Sequence, residues 1–313
     1  MMRYKAGQVV MDTNLPNILH KGKVRDTYAI GSRHLLMVAT DRISAFDVVL
    51  PTAIPQKGIV LSSLSAYWFE RTRDVVENHF ISIADQGITP EELKDQELLS
   101  GLPQAIAARG MIVKRAQRID IECIARGYIT GSAWAEYQTS GTVGGHPMPT
   151  GMKDADVFPQ PLFTPTTKAE TGHDMPMTMD QVKNMVGSDT ANLLQDVTLN
   201  LYNYAHDHAL PKGIIIADTK VEFGFLDNKL ILIDELLTPD SSRFWDVNLY
   251  QPGKSQPNFD KQYVRDWLTE SGWNREPPGP ELPSEIVNKT TERYIQAYKL
   301  ITEQPWTHEE MEN

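Results

Sequence analysis

Two apolar runs, 214–217 and 230–233, flank a stretch in which polar and apolar positions alternate. Asp218, Lys220 and Glu222 lie at i, i+2 and i+4, so a strand puts all three on one face and Val221 and Phe223 on the other. Asp227-Asn228-Lys229 reads as a three-residue hairpin loop. Pairing Leu226 with Leu230 then sets Glu222 across from Asp234. Two carboxylates facing each other across a ladder repel unless a positive charge lies between them. Mg²⁺, a hard cation that takes oxygen ligands and often shares them with nucleotide phosphates, would make such a pair useful. A solvated hairpin with scattered charges has the same pattern, so the rest of the chain must decide.

Elsewhere the pattern is mixed. Residues 23–30 alternate, Gly31-Ser32 turns, and 34–40 returns as an apolar strand. Leu61, Leu64, Trp68 and Val75 give 61–76 helical spacing, and 90–103 is polar and irregular or a short helix. Further strands are expected at 111–115 and 119–125. The Gly- and Pro-rich 141–165 reads as one long ordered loop. Its Gly141, Gly144 and Gly145 make no GxGxxG and follow no strand, which argues against a Rossmann unit. Residues 178–209 are helical with a break at Gly187-Ser188, 251–258 is a loop, and 261–268 is a helix. Past the break at 277–280, Ser284 is expected to cap a last amphipathic helix bearing Ile286, Tyr294, Ile295, Tyr298 and Ile301. Strands that come first in hairpins, with helices between the later ones, predict an α+β fold with largely antiparallel sheets. The expected division is a β-rich domain at 1–115, a larger α+β domain at 116–260, and a helical segment at 261–313 packing on the others.

Composition narrows the function. The 313 residues are 41% hydrophobic and 23% charged, as in soluble globular chains. The formal net charge of −11 and the lack of any Lys/Arg block argue against a nucleic-acid binder. No apolar run approaches the roughly 20 residues that span a bilayer, and the N-terminus has no signal-peptide core. A single cysteine, Cys123, precludes an internal disulfide and suits a reducing cytoplasm. The histidines form no HExxH or zinc-finger spacing, and His206 and His208, ending a helical pattern, are expected in solvent. In so acidic a chain an anionic ligand must be met by local cations. Gly22-Lys23-Val24-Arg25 is one such place: glycine lets backbone approach phosphate oxygens, and Lys23 and Arg25 would share a strand face. A basic edge strand gives the same pattern, and the spacing is not that of a Walker A loop. Arg126 with Ser132 combines a guanidinium with hydroxyls at a helix start, which suits an anion, or else is a simple Ser132 cap. Lys168, His173 and Asp174 close the long loop, Asp240, Ser242 and Arg243 follow the carboxylate hairpin, and Arg265 lies in the next helix.

Together the segments GKVRDTY, VATDRISAFDV, PQKGI, IARGYITGSAWAEY, FTPTTKAETGHD, GIIIADTKVEFGF, IDELLTPDSSRFW and FDKQYVRDWL run in order over nearly the whole chain. They closely resemble the SAICAR synthetase family (phosphoribosylaminoimidazole-succinocarboxamide synthases), in its longer form, also seen in fungi. The resemblance implies a two-part ATP-binding fold related to ATP-grasp and kinase architectures. It implies a cytoplasmic ligase of de novo purine biosynthesis, a monomer or small homo-oligomer, that uses ATP and Mg²⁺ to join L-aspartate to carboxyaminoimidazole ribonucleotide (CAIR). Carried onto matching positions, Gly22, Lys23 and Arg25 would lie at the ATP phosphates. Val113, Lys114 and Ala116 would meet adenine through their backbone, with Glu122 nearby. Glu222 and Asp234 would hold Mg²⁺. Arg126, Ser132, Asp240, Ser242 and Arg243 would hold the ribonucleotide, completed by Asp218, Lys220 and Arg265. Lys168, His173 and Asp174 are candidates for aspartate. A kinase-like phosphotransferase would use a similar set, although HRDxxxxN and DFG are missing. A nucleotide sensor without chemistry would be expected to have lost Lys23, Glu222 or Asp234, and all three are present.

Overall fold

The computed structural model of the chain describes residues 8–86, 93, 97–168 and 174–308. The first elements are β1 (Ile18–Lys21), β2 (Arg25–Ile30), β3 (His34–Ala39), β4 (Ser44–Ala45), β5 (Val48–Val49), α1 (Lys57–Arg71), β6 (Phe80–Ile83), α2 (Glu97–Ser100), α3 (Gln104–Ala107) and β7 (Gly110–Lys114). Next come β8 (Gln117–Tyr128), α4 (Gly131–Ser140), β9 (Thr142–Val143), β10 (His146–Pro147), β11 (Val157–Phe163), β12 (Thr166–Thr167), α5 (Met179–Val186) and α6 (Ser188–Ala209). The chain closes with β13 (Ile214–Leu226), β14 (Lys229–Ile233), β15 (Ser242–Asp246), α7 (Gln262–Glu270) and α8 (Ser284–Thr302). Two compact units result. One comprises Met1–Glu70, His79–Arg115 and Asp260–Asn313, the other Arg71–Asn78 and Ala116–Phe259. The C-terminal helices thus belong to the first unit, whereas a short piece after α1 belongs to the second.

The first unit is built on an antiparallel sheet ordered β1-β2-β3-β7-β6. Tyr28, Ile30, Leu36, Val38 and Ile112 form one apolar cluster of this unit. A second cluster joins Ile43, Leu50 and Ile54 to Val264, Leu268 and Ile286 of α7 and α8. Ser284 does not cap α8: Pro283 holds that position and Ser284 is the first helical residue, with Pro283's fixed φ leading the chain in.

The second unit centres on β13, whose 13 residues pair with β8 on one side and with β14 and β15 on the other. Because side chains alternate, Val221 and Phe223 are buried on one face while Asp218, Lys220 and Glu222 share the opposite one. Leu201, Tyr202 and Ala205 of α6 are buried, and the Tyr202 hydroxyl donates to Ile216 O at 2.7 Å. Residues 141–165 are not one loop: β9 and β10 form a tight hairpin and β11 pairs with β8. Prolines 159 and 161 obscured that edge strand in the sequence. α5 and α6 meet at Gly187, and Thr178 and Gln181 form a capping box at the start of α5. His206 is half-buried rather than solvated, with its ring stacked on Tyr202 and close to Tyr128.

Gly127 shows how closely α6 approaches the sheet. A Cβ there would stand 1.9 Å from the Tyr202 hydroxyl oxygen. Gly127→Ala should therefore displace the phenol from Ile216 O and cost about 2–3 kcal/mol, overpacking plus a lost buried hydrogen bond. A urea unfolding midpoint equal to wild type would contradict this packing.

Candidate active site

The charged candidate side chains gather on one face of the second sheet because three strands present them in register. Opposite β13, β8 sets Arg126 across from Asp218 and Glu122 across from Glu222. On the other edge, β15 sets Arg243 across from Asp218. Directly opposed residues point to the same side, so one face carries all six charged groups.

The sequence expectation for the hairpin is off by one residue. The loop has two residues, Asp227 and Asn228, both with positive φ, and Leu226 pairs with Lys229. Asn and Asp tolerate that left-handed backbone, which makes the two-residue turn accessible. Glu222 therefore faces Ile233 across β14, and its ladder-opposed carboxylate is Glu122 of β8. Asp234, at φ 66° just beyond β14, still acts on Glu222 electrostatically.

At this end the charges are interlocked. Lys220 donates to Glu122 at 2.5 Å, Thr166 donates to the other Glu122 oxygen at 3.3 Å, and Lys168 pairs with Glu222. Burial, then Asp234, push the Glu222 carboxyl up to about 7 against the pull of Lys168 and Lys220. Burial opposes the charge on Lys220, but Glu122, Glu222 and Asp234 outweigh it and raise its pKa. A buried carboxylate that ionises reluctantly beside a second carboxylate is the donor chemistry a divalent cation stabilises. Among the described residues no cluster of three or more His, Cys, Asp or Glu side chains is arranged to hold an ion. Glu222 and Asp234 are two carboxylates, and Mg²⁺ commonly takes one or two and fills its shell with phosphate and water oxygens.

At the other end two guanidiniums share one carboxylate. Arg126, buried in β8, donates to Thr164 Oγ1 at 2.9 Å, Asp218 Oδ2 at 3.1 Å and Ser132 Oγ at 3.1 Å. Arg243 also pairs with Asp218. A carboxylate shared by two guanidiniums fixes both forks and leaves donor positions over. Gly131, at φ 57°, lets Arg243 lie against the start of α4, since a Cβ there would be 2.4 Å from a guanidinium nitrogen. Thr130, not Ser132, is the N-cap of α4, which frees the Ser132 hydroxyl for Arg126. A cavity of about 290 Å³ opens beside Arg126 and Ser132, walled by Glu136, Gly144, Thr164 and Met177.

The remaining candidates are more scattered. Ser242 is buried with its hydroxyl 2.8 Å from Thr219 Oγ1, and Asp240 lies in the turn set by Thr238. Asp174 is exposed, and His173 lies outside the described residues. In the first unit, Lys23 and Arg25 do not share a strand face. Gly22 N bonds to Arg25 O at 2.7 Å, so β2 begins only at Arg25, which is buried, while Lys23 sits in the turn and pairs with Asp47. Val113 lies inside β7 between β3 and β6, and the Lys114 amide bonds to His79 O at 2.8 Å. Ala116 precedes β8, and Arg265 is half-buried on α7. Arg42 lies in the segment VATDRISAFDV but has no site role in the sequence reading. It donates to Gly22 O at 3.1 Å, Lys23 O at 3.0 Å, Met11 O at 2.6 Å and Asp26 Oδ1 at 2.6 Å, bracing the glycine/lysine turn. Its signals are its position at the end of an apolar strand and its place in that motif. Cys123 is fully buried on the face opposite the site, and burial pushes its thiol up to about 12, so it is no nucleophile. No helix among the described residues is long and apolar enough to cross a membrane.

Comparison with known proteins gives the chain's relatives. The chain is 48% identical over 297 residues to the phosphoribosylaminoimidazole-succinocarboxamide synthase of Thermodesulfovibrio yellowstonii, covering 94% of this chain and 99% of that one. It is 46% identical over 299 residues to the same-named protein of Maridesulfovibrio salexigens, covering 94% and 97%. Among solved structures, the SAICAR synthase of Saccharomyces cerevisiae complexed with SAICAR aligns with a TM-score of 0.82 at 42% identity, over 96% of this chain and 99% of that one. With residues 18–280 also matching the SAICAR synthetase profile, the chain belongs to the SAICAR synthetase family.

Proposed function

We propose that this chain performs its family's reaction: ATP-dependent joining of L-aspartate to the carboxylate of CAIR, giving SAICAR, ADP and phosphate in purine biosynthesis. The observation that carries it is the single sheet face with an anion cradle at Arg126, Asp218 and Arg243 and a carboxylate end at Glu122, Lys220 and Glu222. Such a face suits a ligand with a phosphate at one end and a carboxylate to be activated at the other. The single buried cysteine and the biosynthetic role support a cytoplasmic setting.

An amide does not form directly from a carboxylate at neutral pH. A CAIR carboxylate oxygen attacks the γ-phosphorus of ATP, the bond to ADP breaks, and an acyl phosphate results. The aspartate amine then attacks the acyl carbon, loses a proton and expels phosphate. Arg126, Arg243 and Ser132 would hold the ribonucleotide phosphate, with Asp240 and Ser242 toward the ribose. Lys220, kept charged by its carboxylate neighbours, would offset charge on the phosphoryl oxygens as they transfer. In the first unit, Lys23 and Arg25 would meet the ATP phosphates, with purine contact through the backbone from Val113 to Ala116. Lys168 and Asp174 would face aspartate. Bound Mg²⁺, held by Glu222 and Asp234, would supply positive charge to the transferring phosphate.

Omission experiments test the reaction. ADP release should require ATP, CAIR, aspartate and Mg²⁺ together. Full-rate ADP release without aspartate, or a need for a hydroxyl acceptor, would overturn the ligase.

A further inference from the structure

Glu136 poses a question that the proposed reaction leaves open. On α4 it lies one helical turn after Ser132, so both side chains project on the same face. Both line the cavity beside Arg126. A carboxylate in the lining of this cavity should repel an incoming phosphate. Its lone pairs, however, are directed elsewhere. Oε1 accepts from Thr142 Oγ1 at 2.8 Å and from the Gly145 amide at 3.1 Å, and Oε2 accepts from the Gly144 amide at 3.0 Å. Although burial opposes the charge, these donors, and then Arg126, hold the carboxyl below the usual range.

Gly144 and Gly145 are the two-residue turn of the β9–β10 hairpin, both with positive φ, and successive amides in such a turn form a concave nest for an anion. Here the anion comes from the protein itself. The turn is pressed onto Thr164, since a Cβ on Gly144 would lie 2.9 Å from Thr164 Cγ2. Thr164 Oγ1 in turn accepts from Arg126 Nε. Glu136, the glycine turn, Thr164 and Arg126 thus form a continuous chain of contacts. It ends on the guanidinium nitrogen not engaged by Ser132 or Asp218.

We propose that Glu136 is a positioning residue for phosphate recognition: by clasping the Gly144–Gly145 turn it seats Thr164 against Arg126 and fixes the direction in which the guanidinium meets the ribonucleotide's phosphate. The inference rests on the assignment of Arg126 to that phosphate. Glu136 takes no part in the transfer steps. Its removal therefore weakens binding of the phosphorylated substrate and leaves turnover alone.

The test compares Glu136→Ala, Glu136→Gln and Gly144→Ala with wild type in steady-state kinetics, at a temperature where circular dichroism shows each variant folded. Glu136→Gln keeps the shape but turns an amide NH₂ toward one of the donors. Gly144→Ala moves Thr164 without touching the charge. For Glu136→Ala and Gly144→Ala the KM for CAIR should rise about tenfold, the scale of one lost hydrogen bond to a charged group, while kcat and the KM for ATP stay within about twofold. Glu136→Gln should fall between them and wild type. The preference for CAIR over its 5′-hydroxyl nucleoside should shrink by the same factor, which a loss of general stability would not produce. An unchanged or lowered KM for CAIR, or a parallel change in kcat and every KM, would overturn the inference. Arg126→Ala separates the two levels. If it leaves the KM for CAIR unchanged, the phosphate assignment itself falls; if it raises that KM while the Glu136 and Gly144 variants do not, the clasp alone is wrong.

Discussion

Replacing Glu222 with glutamine should lower turnover by about three orders of magnitude while the protein stays folded, because the carboxylate proposed to hold Mg²⁺ becomes a neutral isostere. The fold should tolerate it. Glu222 is buried, and its charge is already disfavoured by burial and by Asp234. An amide oxygen of the same reach can still accept from Lys168, whose side chain is only partly covered and can turn toward solvent. What glutamine cannot do is bind Mg²⁺ with a full negative charge. The magnesium concentration for half-maximal rate should rise along with the loss of turnover, and Asp234→Asn should show the same pair of effects. Chelation of Mg²⁺ should abolish wild-type activity and be reversed by adding the ion back. Wild-type turnover in either variant at ordinary magnesium would show that the ion is held elsewhere.

The sequence resolved local order and missed what depended on long-range pairing. A period of two placed Asp218, Lys220 and Glu222 on one face, and the structure keeps them there. The turn length could not be read, because Asp227-Asn228 closes a two-residue loop and Asp227-Asn228-Lys229 would have closed a three-residue loop equally well. That one residue decides whether Asp234 or Ile233 stands opposite Glu222. The partner on the other edge lay further out of reach. Glu122 is 98 residues from Lys220, and Arg126 is 92 from Asp218, so nothing local identified β8 as the neighbour of β13. Motif resemblance brought these residues into one list, but their geometry needed the sheet. Glu136 was invisible for a related reason: on a short amphipathic helix a glutamate looks like any solvated face, until a hairpin several residues later offers it three donors. Lys23 and Arg25 misled in the opposite sense. Alternation suggested a shared strand face, whereas the Gly22 turn ends just where the strand begins.

The largest loss of stability should come from Asp41→Ala, at a residue assigned no part in the chemistry. Asp41 and Arg109 are both fully buried and form an ion pair at 2.6 Å. Asp41 also accepts from the Val10 amide at 2.8 Å and the Gly58 amide at 2.9 Å, so one carboxylate binds the N-terminal segment and the start of α1 while it balances the charge of the guanidinium. Alanine would leave a buried cation and two amides without that acceptor, at a cost of about 3–5 kcal/mol. The pair itself need not be worth so much, since desolvating both charges offsets most of their attraction. That distinction is measurable. If the loss in Asp41→Ala comes from the stranded guanidinium, then adding Arg109→Met should recover a large part of it, because the double variant buries no charge. Urea unfolding followed by tryptophan fluorescence, to which Trp68 of α1, fully buried in the same unit, contributes, gives the three midpoints. Asp41→Ala within about 1 kcal/mol of wild type would show that water or a shifted side chain takes over the carboxylate's contacts. A double variant no more stable than Asp41→Ala would place the loss in the Val10 and Gly58 amides and not in the stranded charge.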